Sequence, residues 1–298
     1  MSSTVYHTFF AILLILSTAC DSTRTPTAEE TTSPSAYEPT EYALTGNGDT
    51  TLVLVHGWNI DQDYWSSQVA TFSDDYTVLT MNLVTDALRQ DSSRDWTVEN
   101  FAQDIVAIVE QENLSNLILV GHSMGGEIVL TIRELVPDKT IAIIGVDCFK
   151  DTGFILTDKV QNHIDSFIVQ FQEDYRGNVE QMVNIGLFEP NTKNQQAYER
   201  VLQDYQAADP TIAIPIYRNL FPAYVATKEK LAQLPFPLRI IVSNYTPFNE
   251  EALKEYTRNG YRIKTINNSG HFPMIEQPEQ FNRVLGEFLD AIRSAPSE

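Results

Sequence analysis

Basic residues are scarce in this chain. Its 298 residues hold 20 Lys and Arg against 40 Asp and Glu, a formal net charge of −20. Such a surface repels phosphates, which excludes nucleic acid as a partner. The acidity is spread along the chain and reads as a well-solvated surface. Cysteine is scarcer: Cys20 and Cys148 are the two present, and neither lies in a C-x-x-C pair. Structural zinc and dithiol redox chemistry therefore find no support. No metal and no cofactor is implied, and no internal repeat is visible. Long apolar runs are missing as well. The stretch from Phe9 to Leu16 is apolar but too short to span a membrane, and it suits the h-region of an export signal.

Ser17-Thr18-Ala19-Cys20 follows that stretch. Small residues ahead of a cysteine resemble the cleavage box of bacterial lipoproteins, in which the cysteine is lipidated and becomes the new N-terminus. The box differs in having Ser17 where Leu is usual, and no Lys or Arg precedes Phe9. The resemblance implies a signal over 1–20, membrane contact through a lipid on Cys20, and a place in the bacterial cell envelope. Cys148 would then be left unpaired, with no disulfide. Residues 21–47, rich in Thr, Pro, Ser and Glu, read as a flexible tether that cannot bury a core.

Beyond the tether, apolar runs and amphipathic stretches alternate. Thr51–Val55, Tyr76–Met81, Asn116–Val120, Ile141–Val146, Leu238–Val242 and Tyr261–Ile266 read as strands. Thr97 is placed as an N-cap, with Glu99 in the first turn and Val98, Phe101, Ala102, Ile105 and Val109 at helical spacing. Pro278 opens a last helix whose apolar face holds Phe281, Val284, Leu285, Phe288 and Ile292. Residues 150–235 are helical in pattern and show no clear strand. The expectation is an α/β fold: a mostly parallel central sheet covered by helices on both faces, with an inserted helical cap. The core spans 48–149 and 236–298, and the cap 150–235. The pattern carries no signal for oligomeric state.

The densest motif is Gly121-His122-Ser123-Met124-Gly125, between an apolar strand and the start of a helix. G-x-S-x-G at a strand–turn–helix corner exposes a serine hydroxyl above the sheet. Together with His56-Gly57-Trp58 and Gly270-His271-Phe272-Pro273-Met274-Ile275-Glu276, in this order and spacing, it makes residues 50 to 295 resemble the α/β-hydrolase fold family. The chain departs from that family after the Tyr76 strand, where Asn82–Ala87 replaces the usual Asp-x-Pro-Gly-x-Gly turn.

The resemblance implies catalysis by a serine. A serine hydroxyl is a weak nucleophile and needs a base oriented by a third group. Of five histidines, His271 stands on the loop where the family places its base. The usual acid is missing: Thr246 falls about where most relatives carry an Asp. Some members place the acid at the end of the preceding core strand, which is Asp147 here. Asp151 is its nearest rival, and Glu250 and Glu251 are weaker ones. The family assigns the oxyanion donors to the backbone N–H groups of Trp58 and Met124. The expected activity is hydrolysis of a small or medium carboxylic ester through an acyl-enzyme. Thioesters, lactones, amides and carbon–carbon bonds share such machinery. Epoxide hydrolase and dehalogenase chemistry are disfavoured, because their Asp nucleophile is replaced by Ser123. The alternative of another class is a hydrolase-like ligand sensor.

Overall fold

The computed structural model describes residues 41–190, 194–245 and 248–294. The expected signal over 1–20, most of the tether, and Thr246 lie outside them. A seven-stranded sheet runs through the centre in the order β1-β3-β2-β4-β5-β6-β7. Its strands are β1 (Tyr42–Thr45), β2 (Thr51–Val55), β3 (Thr77–Met81), β4 (Leu117–His122), β5 (Thr140–Val146), β6 (Leu238–Ser243) and β7 (Tyr261–Ile266). All pairs are parallel except β1 with β3, which is antiparallel. Every residue of β2 and β4 is buried. Parallel strands covered on both faces carry unbroken apolar runs rather than alternation, and so they stand out in the sequence.

The β1 strand corrects one boundary. Tyr42–Thr45 lies inside the stretch expected as tether, yet it pairs with β3 and closes one edge of the sheet. Three of its four residues are exposed, so it has no buried face to leave an apolar pattern. The Tyr42 hydroxyl fixes it by donating to Glu112 at 2.6 Å.

Among the described residues eleven α-helices accompany the sheet: α1 (Ser66–Phe72), α2 (Asp86–Gln90), α3 (Val98–Gln111), α4 (Met124–Leu135), α5 (Asp158–Glu173), α6 (Tyr175–Met182), α7 (Gln195–Ala207), α8 (Pro210–Ala232), α9 (Glu250–Tyr256), α10 (Pro273–Glu276) and α11 (Pro278–Arg293). Thr97 caps α3 as expected, its side chain accepting from the Asn100 N–H. The helices α5 to α8 lie between β5 and β6, the position of the expected cap. The α8 helix carries Pro215 and Pro222 in its interior, each lacking the N–H that an unbroken helix uses. Because β2 to β7 run parallel, the loops that leave their C-terminal ends gather along one edge of the sheet. Open α/β sheets form their ligand crevice there.

A buried polar network ties α8 to α4. Glu127 accepts from the Thr227 hydroxyl at 2.7 Å, while Lys230 donates to Thr131 at 2.6 Å and lies 3.5 Å from Glu134. Burial pushes the Glu127 carboxyl up to about 7, against the opposing pull of Thr227 and Lys230. The folded chain therefore binds a proton here that the unfolded chain releases near the ordinary carboxylate value. The stabilisation is complete below that value and is lost as pH rises through about 7. Urea unfolding at pH 5 and pH 8 checks this. Relative to Glu127→Gln, the wild-type chain should lose stability between the two, by at most about 3 kcal/mol. A difference that is constant with pH would contradict it.

Candidate active site

Ser123 is the residue between β4 and α4, at φ 53° and ψ −119°. A positive φ is unfavourable for a side chain with a Cβ, so the surroundings must enforce it. They do so by close approach of backbone. A Cβ on Gly121 would stand 2.3 Å from the Gly125 carbonyl oxygen, and one on Gly125 would stand 2.4 Å from the Val55 carbonyl oxygen. Only glycine lets the strand, the corner and the helix come this near. The Ser123 N–H donates to the Val146 carbonyl at 3.0 Å, binding the corner to the end of β5.

Asp147 is the next residue after that carbonyl, also at positive φ, 48°. Its Oδ2 lies 2.6 Å from His271 Nδ1. Its Oδ1 accepts from the Ser243 N–H at 2.9 Å and from the Ser243 hydroxyl at 3.0 Å. The Lys150 ammonium reaches both oxygens, at 2.8 and 2.9 Å. Burial alone would raise the carboxyl; Lys150 and then His271 outweigh it and hold Asp147 well below the usual carboxylate range. Of the candidate acids, Asp147 is the one on the outer nitrogen of His271. Asp151 is exposed, and Glu250 sits in the first turn of α9, where it accepts from Tyr261.

The loop that carries His271 is held from three sides. Glu276 Oε2 accepts from the Gly270 N–H and Oε1 from the Phe272 N–H, both at 3.0 Å, so one carboxylate grips the residues on either side of His271. Burial pushes this carboxyl up to about 7, against those hydrogen bonds. The His271 N–H donates to Leu187 at 2.7 Å, in a short π-helical turn, Val183–Leu187, that ends the α6 segment of the cap. His122 donates from Nε2 to the His271 carbonyl at 2.8 Å, and the two rings lie 4.8 Å apart. Burial lowers His122 to about 3, so it stays neutral and acts as a donor. His122 immediately precedes Ser123, and through it the His271 loop is fixed to the serine corner.

His56 organises the loop after β2. Its Nδ1 donates to the Gly57 carbonyl at 2.8 Å and its Nε2 accepts from the Leu83 N–H at 3.1 Å. Burial lowers it to about 4, which leaves the neutral ring that this pair of bonds requires. The unusual Asn82–Ala87 stretch thus anchors His56 and then, through Thr85, caps α2. Trp58 donates from its indole to the Ala213 carbonyl at 2.9 Å and packs on Tyr205 and Tyr217, joining this loop to the cap. Met124 opens α4, where the first backbone N–H groups have no partner inside the helix. A cavity of about 260 Å³ touches Gly57, Trp58 and Met124, with Leu83, Ile212 and Ile216 among its apolar walls. It reaches the loop and the helix start; Ser123 and His271 do not line it.

The family model for the alpha/beta hydrolase family matches residues 52–284. The chain belongs to the alpha/beta hydrolase family. The chain is 25% identical over 252 residues to the Karrikin insensitive 2 receptor IA of Petunia hybrida, covering 80% of this chain and 90% of that one. A hydrolase from Oleispira antarctica has the same fold, with a TM-score of 0.71, 19% identity, and coverage of 85% of this chain and 94% of that one. A thermophilic esterase from Thermogutta terrifontis is similar too, with a TM-score of 0.68, 21% identity, and coverage of 84% and 93%.

Sequence pattern assigns no role to His122, Glu276, Lys150 or Ser243. Glu276 had a usable signal, being a carboxylate amid Pro273, Met274 and Ile275 on the His271 motif. The serine corner also leans on Gly57: a Cβ there would stand 2.9 Å from His122 Nδ1 and 3.1 Å from Ser123 Cβ. Gly57→Ala should therefore displace the serine corner or its facing loop and lower kcat, by about 10²-fold if an oxyanion donor is lost. Steady-state kinetics with circular dichroism as a folding control checks this, and an unchanged kcat in a folded variant would contradict it.

Proposed function

We propose that this alpha/beta hydrolase is a serine esterase acting on small or medium carboxylic esters. The observation that carries the reading is the 2.6 Å contact of Asp147 with His271 Nδ1. It lies on a loop that His122 fastens beside the positive-φ serine. With Nδ1 engaged by a carboxylate, Nε2 is the nitrogen left to take a proton. In this reading His271 takes the Ser123 proton as Oγ attacks the ester carbonyl carbon. The backbone N–H groups of Trp58 and Met124 stabilise the oxyanion. The tetrahedral adduct collapses, the leaving alkoxide takes the proton from His271, and the acyl group stays on Ser123. Water then attacks the acyl-enzyme, again with His271 as base; the adduct collapses, His271 returns the proton to Ser123 Oγ, and the acid leaves. Asp147 holds the imidazole and stabilises it while protonated.

The 260 Å³ cavity supports a modest substrate. It is below the roughly 300–1,000 Å³ of sites for drug-sized ligands. Trp58 and Met124, the two residues assigned as oxyanion donors, are in its lining, as in a site for one arm of a short ester.

A second reading has one observation in its favour. The petunia relative, matched over most of both chains, is a receptor by name. A hydrolase-like protein that senses a ligand would keep the same pocket and turn nothing over.

A screen of p-nitrophenyl esters of graded length separates the two. Short esters should be cleaved faster than long ones. Ser123→Ala should lower kcat by on the order of 10⁶ and Asp147→Asn by about 10⁴. A fluorophosphonate should label Ser123. Near-full activity in Ser123→Ala would reject the esterase, and a folded protein that resists the label while binding an uncleaved ligand would favour the sensor.

A further inference from the structure

Lys150 has no part in the machinery described above, yet it sits on the acid. Its ammonium straddles the Asp147 carboxylate, 2.8 Å from Oδ1 and 2.9 Å from Oδ2. The Asp147 side chain is 1% exposed and that of Lys150 is 16% exposed, so the pair meets largely out of water. Ser243 fills Oδ1 from β6 with two more donors, and His271 takes Oδ2. Lys150 is thus a fourth donor on that carboxylate, and the one that brings a fixed positive charge.

The turn that delivers Lys150 has a cost. Asp147 and Phe149 both have left-handed φ, 48° and 60°. Each such residue with a Cβ costs about 1–2 kcal/mol. The two together fold the chain back after β5, so that residue i+3 covers residue i. The Lys150 carbonyl accepts from the Asn249 N–H at 3.2 Å, which fixes the far side of the turn to the segment before α9.

We propose that Lys150 is a positioning residue of the triad: its cation shares the Asp147 carboxylate with His271 and thereby sets the pH at which the Asp147–His271 pair takes up a proton. This rests on the reading of those two residues as acid and base. Other titratable groups among the described residues stand near the pair, and the exposed Asp151 follows Lys150 in the chain. From β4 comes His122, neutral through burial; from α10 comes Glu276, a carboxyl raised by burial; beside Asp147 is Cys148, whose thiol burial pushes up. Ser243 on β6 is uncharged. Lys150 is therefore the cation among them.

The sign follows from charge. With Lys150 present, the ammonium, carboxylate and neutral imidazole sum to zero, and a proton on the imidazole makes the cluster positive. Without Lys150 the cluster starts negative and the proton neutralises it. Losing the Lys150 charge is therefore expected to favour proton uptake by the cluster, and to move the acid limb of the esterase activity to higher pH.

The test uses the full chain with Lys150→Met, Lys150→Gln and Lys150→Arg. Lys150→Gln keeps a donor near the carboxylate without charge, and it also covers a Lys150→Met variant that fails to fold. Two quantities are read: kcat/KM for p-nitrophenyl acetate against pH, and the titration midpoint of the pair from the His271 ring resonances. Removing the charge should move both midpoints up by about one pH unit, the low end of the effect of a close charge. Lys150→Arg should stay near the wild-type midpoint. A lower kcat/KM at every pH with unmoved midpoints would overturn the proposal, because a merely structural ion pair predicts that. Equal shifts in Lys150→Gln and Lys150→Arg would overturn it too. The ring resonances titrate whether or not an ester is cleaved. Shifted midpoints in a chain that hydrolyses nothing would reject the esterase and leave the role of Lys150 intact.

Discussion

The contact between Asp147 and His271 is the constraint on which the site depends. It joins the end of β5 to the loop after β7, at 2.6 Å. Burial works against it, since a carboxylate out of water is unfavourable unless paired and hydrogen-bonded. The structure meets this with two donors from Ser243 and the ammonium of Lys150. On the other side, the imidazole is aimed by its backbone. Glu276 holds the N–H groups flanking His271, the cap takes its own N–H, and His122 takes its carbonyl. Each of these partners comes from a different element, so the contact reports on the assembly of the whole crevice.

The cap is part of that assembly. Leu187 fixes the His271 loop and Ala213 takes the indole of Trp58, so the cap touches the site at both ends. The network of Glu127, Thr227 and Lys230 fastens α8 to α4, the helix that starts at the serine corner. A shift of the cap would move His271, the loop after β2 and the cavity together.

How far the sequence reveals this depends on what each feature needs. The strands β2 to β6 are legible because burial on both faces demands apolar runs such as Leu52-Val53-Leu54-Val55. The Ser123 corner is legible because backbone crowding demands glycines at 121 and 125. Asp147 could be named from its place after β5, but only the structure separates it from Asp151. Other features leave no pattern. Tyr42–Thr45 is an exposed edge strand in a stretch that looks like tether. His122 and His56 are neutral buried donors, and a buried imidazole is written the same way as a solvated one. Lys150 reaches Asp147 through two left-handed residues, neither of them glycine, so nothing in the sequence marks the turn. Hydrogen bonds made by backbone groups, as between Glu276 and its loop, depend on conformation and not on which residues supply them.

The central claim is that the Ser123 oxygen becomes covalently acylated during turnover. The most direct measurement mixes the protein with an activated short-chain ester, quenches it in acid within the first turnovers, and maps the modified peptide by mass spectrometry. The account predicts one acyl group, carried by the peptide that contains Ser123 and lost on longer incubation. Ester cleavage with the acyl group on another residue, or with no adduct at any time at which product is forming, would contradict it.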